Sequence, residues 1–490
     1  MLKILAFDYG ASSGRSILGT YDGSKLDLKE THRFNSDPVM MNDCFQWDFM
    51  RLFFEMKNGI TKTINAGHKD IASIGVDTWG VDFGLLDSKG SLLGNPYHYR
   101  DARTEHMIEK ANSILPLAEI YAQTGIQFQK FNTLFQLLAM KEEKSVLLDN
   151  AETMLFMPDL FNYFLTGEKL SEYTITSTSQ MYNPVENRWA TEMLNKFGIP
   201  TKILTDVISS GTKVGSLTKR ICDELNVSSI PVIAVAEHDT GSAVVSVPFA
   251  EKGSAFLSSG TWSLLGVELD KPLINEKTLA LNYTNEGGFN NTTRFLKNIM
   301  GLWINQECKR HWEKMGEVIS FDNLDAEALA STPFASIINV DDDVFYSPNN
   351  MPIKIQEYCK KTGQNVPQTK GAIVRCIMES LALKYRQAIE GLEDILGYKI
   401  PSLNIVGGGC KNVILSQFTA SAINRTVFAG PIEATAIGNL SAQLISLGEL
   451  KSLDQARNMI RNSFPIEVYE PQNASAWDDA YNKLMKLEKL

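Results

Sequence analysis

The sequence predicts an α/β protein with a duplicated core. Two observations carry that reading. Short apolar runs of strand type alternate with longer stretches of helical periodicity along the whole chain. In addition, "ILAFDYGASSGRSILGTY" joins two such runs through a turn of Gly, Ser and Ala, and "GSAFLSSGTWSLLGVEL" (253–269) repeats the design roughly 250 residues later. A chain of 490 residues exceeds one compact domain. The repeat therefore suggests two related lobes, 1–246 and 247–490.

The elements follow in order. Leu2–Asp8 reads as a strand, and Arg15–Tyr21 and Lys25–Phe34 as the next two, separated by the turn "DGSK". Phe49–Ala66 has helical spacing. Ile71–Val76 and Val81–Leu86 are buried-type strands. Residues 100–145 and 151–200 are mainly helical. "IPVIAVAEHDTGSA" ends a strand on polar residues. In the second half, Gly371–Leu396 carries apolar residues at 373, 374, 377, 381, 385, 388 and 392, the stripe of a long helix. "SLNIVGGGCKN" runs a strand into three glycines. "TVFAGPIEATAIGNLSAQLISLG" gives a short strand, a Gly-Pro turn and a helix, and Ala474–Leu490 a helical end.

Composition narrows the function. Hydrophobic residues make up 44% of the chain and charged ones 21%, as in ordinary globular domains. A net charge of −10 argues against nucleic acid or an anionic membrane as partner, while leaving room for a small phosphorylated ligand held by backbone dipoles. No apolar stretch is long enough to span a membrane, and Asp8 interrupts the N-terminal run too early for a signal peptide. The six cysteines are scattered without a C-x-x-C pair, a cytoplasmic pattern with no zinc site. Cys359 and Cys376 flank a stretch that would let them pair if it folded back as a hairpin, against the expectation for that compartment. The histidines do not cluster with metal-ligating residues.

The familiar nucleotide loops are absent. A P-loop needs Gly-Lys, a dipeptide that does not occur here, and "GGGCKN" puts Asn412 where a dinucleotide fingerprint has its third glycine. What remains is two hairpins with tight Gly and Ser/Thr turns, whose converging N–H groups suit phosphate oxygens. Asp8 is placed to hold a hydrated Mg²⁺ brought by a nucleotide, and Arg15 to add charge. One such hairpin would be an ordinary β-turn with a capping Asp. Two hairpins and a triple glycine favour a polyphosphate clamp, with the glycines admitting a purine and ribose and Asn412 capping the next helix. "GVDTWGVDFGLLD" (75–87) and "AEHDTGSA" (236–243) also bring polar residues to strand ends. Trp79 reads equally well as simple core, whereas Gly80 would let a ligand approach the backbone. Glu237–Thr240 is either a helix cap on Asp239 or Thr240, or a cleft where Asp239 bonds a substrate hydroxyl. Phosphoryl transfer asks for positioning, charge neutralisation and a late proton acceptor, and an Asp suffices as the acceptor. His238 then fits a hydrogen-bonding role toward sugar hydroxyls better than that of base.

With "DYGASSGR", "DTWGVDFGLLD", "YRDART" (99–104), "HDT", "SGTWSLLG", "NEGG" (285–288), "LKNIMGLWINQ" (296–306), "VGGGCKN" and "AGPIEATAIGNLSAQL", the chain resembles the FGGY family of carbohydrate kinases over nearly its whole length. The resemblance implies the two-lobed actin-like ATPase (ribonuclease H-like) fold, with the active site in the interlobe cleft, the sugar mainly on the first lobe and ATP mainly on the second. It implies Mg²⁺-dependent transfer of the ATP γ-phosphate to O1 of L-rhamnulose by a cytoplasmic monomer. Another deoxyketose such as L-fuculose is the alternative within the class, and an actin-like ATPase scaffold the alternative outside it. By motif, Ala11, Ser12, Ser13, Gly14, Arg15, Thr261, Gln306 and Gly409 would contact ATP. Gly80, His238, Asp239, Thr240 and Asn298 would contact the sugar, and Asp239 would accept the proton. Tyr9 stands where related kinases often have a smaller residue.

Overall fold

In the computed structural model, which describes residues 1–488, the chain folds as two compact units. The first comprises Met1–Pro248, Glu268–Phe295 and Ala434–Phe464. The second comprises Phe249–Val267, Leu296–Glu433 and the chain from Pro465 onward.

The sheet of the first unit uses strands β1 (Leu2–Tyr9), β2 (Ser13–Tyr21), β3 (Leu26–Asn35), β4 (Ile71–Thr78), β5 (Thr212–Ser216) and β6 (Pro231–Ala234), in the order β5-β6-β4-β1-β2-β3. The hairpins β1–β2 and β2–β3 and the pair β5–β6 are antiparallel. β1–β4 and β4–β6 are parallel. The period-2 geometry of β1 explains its unbroken apolar run. Leu5, Phe7 and Tyr9 pack with Phe49, Leu52, Met56 and Ile60 of the helix Phe49–Asn65. Ile4 and Ala6 face the other way, onto Ala436, Ile437, Leu440 and Leu444 of the helix Ala434–Ser446. Asp48 starts the first of these helices by accepting from the N–H of Arg51. Tyr9 points into the core, stacks on Phe161 at 4.7 Å and donates to the carbonyl of Leu52, so its bulk does not load the turn that follows.

The second unit repeats the plan. Among the described residues its sheet has seven strands: β7 (Ala255–Ser259), β8 (Trp262–Leu269), β9 (Thr293–Met300), β10 (Leu403–Val406), β11 (Val427–Ala429) and β12 (Glu467–Tyr469) in the order β9-β8-β7-β10-β11-β12, and Thr284–Gly287 beyond β9. The segment Glu268–Phe295, with Arg294, is counted in the first unit. The hairpin β7–β8 is antiparallel, β7–β10 and β10–β11 are parallel, and β11–β12 is antiparallel. β1, β4, β6 and β5 in the first sheet thus correspond to β7, β10, β11 and β12 in the second. The duplication read from two hairpins extends through both sheets. The long helix spans Lys370–Leu396, capped by Thr369 and closed by Gly397 at φ +75°.

Three local expectations are corrected. The strand expected from Val81 begins at Phe83, because Val81 has φ +67°, which breaks extended pairing. The cap of the helix Asp239–Val245 falls on His238 and not on Asp239 or Thr240. The final helix is Ala474–Leu487, and residues 489–490 of the helical end expected there lie outside the described residues. All six cysteines are free thiols, including Cys359 and Cys376. Among the described residues no helix is long and apolar enough to cross a membrane.

Candidate active site

In the first unit, the carboxyl ends of three strands deliver the candidate residues, where open α/β sheets place their ligands. Asp8 on β1 sits in register with Asp77 on β4, and opposite Arg15 across the hairpin. Arg15 pairs with Asp8 at 2.5 Å, and both side chains are mostly buried. Ala11 and Ser12 form the turn between β1 and β2, closed by the N–H of Gly10 donating to the carbonyl of Ser13. Ser13, Gly14 and Arg15 open β2. Asp77 is fully buried. One of its carboxylate oxygens accepts from Asn439 at 2.6 Å. Burial first, then the charges of Asp8 and Asp239, push its carboxyl well above the usual range.

Gly80 lies in a turn held from below by Asp82, whose carboxylate accepts from the indoles of Trp47 and Trp79, the amide of Gln136 and the N–H of Tyr99. Burial nevertheless raises Asp82 to about 6. Trp79 is core as well as support: it is buried and stacked on Trp47 at 3.9 Å. Val81, next to Gly80, keeps its left-handed backbone because its N–H donates to Thr178 Oγ1 and its carbonyl accepts from Thr133. Such strain in a β-branched residue persists only where the surroundings enforce it. A Cβ on Gly80 would stand 3.3 Å from His238 Nε2 and from Thr178, so this turn and the histidine face each other closely.

His238, Asp239 and Thr240 follow β6. Their entry is fixed by the N–H of Thr78 donating to the carbonyl of Glu237, and by the N–H of His238 donating to Thr174 Oγ1. Asp239 Oδ1 accepts from the N–H of Thr240 at 2.5 Å and lies 3.3 Å from His238 Nε2. A third of the Asp239 side chain is open to solvent. Desolvation pushes its carboxyl upward, His238 pulls it down, and Asp8 adds to the rise. On the far side of His238 lies a residue that the sequence reading did not single out. Arg294, on β9 and with no exposed surface, approaches His238 Nδ1 at 3.0 Å and Glu286 at 3.1 Å, and donates to the carbonyl of Gly287 at 2.7 Å. An arginine inside the apolar run "TTRFL" was the available signal. Asn439 was missed too, although Asn439 and Gln443 recur at i, i+4 in a helix otherwise small and apolar.

In the second unit, Thr261, Gln306 and Gly409 come together. Thr261 and Gln306 share a hydrogen bond of 3.3 Å. A Cβ on Gly409 would stand 2.0 Å from Ser259 Oγ, so only glycine lets the β10 loop close onto the hairpin. The space beside Gly408 is open. Asn412 caps the next helix through the N–H of Leu415. Asn298 lies on β9 in this unit, whereas the other sugar candidates, Gly80, His238, Asp239 and Thr240, lie in the first.

Magnesium prefers hard oxygen donors and keeps several of its waters. Asp8 and Asp77 stand side by side, and Asp77 Oδ1 is buried with no hydrogen-bond partner. Among the described residues no three His, Cys, Asp or Glu side chains cage an ion directly. This donor set fits a hydrated divalent cation.

The fold and the residues at these strand ends describe a phosphotransferase of sugar-kinase type, and the comparisons agree. The chain belongs to the FGGY family of carbohydrate kinases: the family's N-terminal domain matches residues 3–246 and its C-terminal domain residues 255–447. It is 45% identical over 479 residues to the rhamnulokinase of Bacteroides thetaiotaomicron, covering 98% of each chain. It is 41% identical to the rhamnulokinase of Bacillus subtilis, covering 96% of this chain and 95% of the relative. The fold is that of a xylulose kinase from Lactobacillus acidophilus (TM-score 0.82, 14% identity, covering 100% of this chain and 98% of the other). A glycerol kinase from Plasmodium falciparum, solved with ADP, has it too (TM-score 0.80, 16% identity, covering 99% and 98%). It is the actin-like two-domain fold of carbohydrate kinases.

Proposed function

We propose that this chain transfers the γ-phosphate of ATP to O1 of L-rhamnulose, giving L-rhamnulose 1-phosphate and ADP in the breakdown of L-rhamnose. The observation that carries the reading is the end-to-end likeness to rhamnulokinases at 40–45% identity. The ketose is held in the first unit by the backbone at Gly80 and by His238, Asp239 and Thr240. ATP is held in the second unit by Thr261, Gln306 and Gly409, and in the first unit the turn Ala11–Arg15 has the tight Gly and Ser backbone that suits phosphate oxygens.

In the reaction O1 bonds to the γ-phosphorus, the bond from that phosphorus to the β,γ-bridging oxygen breaks, and ADP leaves with the electron pair. Asp239 takes the O1 proton late in the step. Its raised carboxyl is a better proton acceptor than an ordinary aspartate. Asp8 and Asp77 would hold Mg²⁺ through its waters, and the ion would supply positive charge against the phosphates. Arg15 orients Asp8 and adds positive charge. Asp239→Asn keeps the shape and removes the acceptor. It is expected to lower kcat by roughly 10²–10⁴-fold while binding of an ATP analogue, followed by calorimetric titration, is retained. Full turnover in this variant would remove the role given to Asp239.

A further inference from the structure

We propose that Arg294 is a positioning residue that holds His238 in the tautomer with its proton on Nε2, so that this N–H donates to a hydroxyl of the ketose. The proposal rests on the reading that the ketose lies against Gly80 and Asp239. The argument starts from what a guanidinium can do. Arginine has five N–H donors, no acceptor, and keeps its charge in proteins. Arg294 Nη2 lies 3.0 Å from His238 Nδ1, in a place where Arg294 has no exposed surface. At that distance Nδ1 must present its lone pair. A proton there would set two donors face to face in a buried site, leaving both unsatisfied.

A competing partner exists. Glu286 Oε2 stands 3.4 Å from the same nitrogen and would accept from it if it were protonated. That separation is long for a charge-assisted hydrogen bond, and the same carboxylate oxygen lies closer to Arg294 Nη1, at 3.1 Å. Glu286 therefore acts on the arginine, which is also tied to the carbonyl of Gly287 at 2.7 Å. The guanidinium is held from two sides and aims its remaining edge at the imidazole.

The consequence falls on the opposite edge of the ring. Nε2 must carry the proton, and it points to the space bordered by Gly80 and Asp239 Oδ1. There it can donate to the carboxylate before substrate arrives and to a sugar hydroxyl afterwards. A ring fixed in this form cannot accept the O1 proton through Nε2. That leaves Asp239 as the acceptor and gives His238 a role in orientation. The backbone N–H of His238, bonded to Thr174 Oγ1, holds the ring's attachment point.

The test uses the full-length protein labelled with ¹⁵N-histidine and long-range ¹H–¹⁵N correlation spectra, with the His238 signals assigned by their loss in His238→Gln. The wild type is expected to show an unprotonated Nδ1 and a protonated Nε2. In Arg294→Met the proton should redistribute toward Nδ1 and Glu286. KM for L-rhamnulose should rise about tenfold or more, with KM for ATP unchanged. On the His238→Gln background, whose amide can donate without any tautomer choice, Arg294→Met should add little further loss. A protonated Nδ1 in the wild type would overturn the proposal, as would an equal cost of Arg294→Met on both backgrounds. The wild-type spectrum decides even if the variant fails to fold. If no ketose is phosphorylated by the wild type, the functional reading fails, and the spectrum still decides the tautomer.

Discussion

The sequence singles out Asp239 and Gly80 because each breaks a local rule, a carboxylate after a buried strand and a glycine where a plain turn would serve, and Gly409 through its triple glycine and the family motif. Gly409 has the sharpest geometric reason, since any Cβ there meets the side chain of Ser259. Gly409→Ala is therefore expected to push the β10 loop off the hairpin and raise KM for ATP several-fold or more, with KM for the ketose little changed. Steady-state kinetics with each substrate varied in turn checks this. Equal effects on both substrates would mean a general loss of structure. Arg294 and Asn439 were not legible as site residues. Their meaning lies in His238 and Asp77, which are 56 and 362 residues away. The left-handed Val81 was equally hidden, because hydrogen bonds to Thr178 and Thr133 enforce it and local propensity opposes it.

Between elements, the turn that carries His238 and Asp239 rests on a buried group of carboxyls. Glu172 accepts from the N–H groups of Thr174 and Ile175 and from the hydroxyls of Thr174 and Ser210. Asp159 accepts from the N–H of Glu172, and Glu237 accepts from Asn162. Burial pushes all three carboxyls up, Asp159 to about 8, with their mutual repulsion adding to the rise for Asp159 and Glu237. The folded protein therefore keeps protons here that the unfolded chain has lost above about pH 4. The stability contributed by the Asp159 proton is fully present below that pH and is lost as pH rises through about 8. Asp159→Asn should flatten the decline in the urea midpoint between about pH 5 and about pH 8. An unchanged slope would mean that Asp159 does not hold that proton. The strands around this group were readable as apolar runs, but the group itself was not. Asp159 lies on a helix, Glu172 on a short strand and Glu237 in the loop after β6, and only the tertiary fold joins them.

At the scale of the whole chain, the repeated hairpin announced the duplication, and the two strand orders carry it further than sequence alone could. The pairing of β10 with β7, or of β4 with β1, depends on which long-range strands meet. That the helix Ala434–Ser446 packs on β1 in the first unit was likewise invisible locally, because any amphipathic helix could cover any sheet face. The proposed division of labour between the units gives a further expectation. L-Rhamnulose should slow amide exchange around 78–82 and 237–241, and an ATP analogue around 257–262 and 405–412. Hydrogen-exchange mass spectrometry reads both patterns separately, and a reversed pattern would contradict the assignment. The central claim is tested most directly by incubating the purified protein with Mg-ATP and each of a panel of ketoses, following ADP and identifying the product by ³¹P NMR. The expected result is ADP formed in proportion to added L-rhamnulose, with the phosphate on O1 and the highest kcat/KM for that sugar. A clear preference for L-fuculose, or ATP hydrolysis indifferent to sugar, would contradict it.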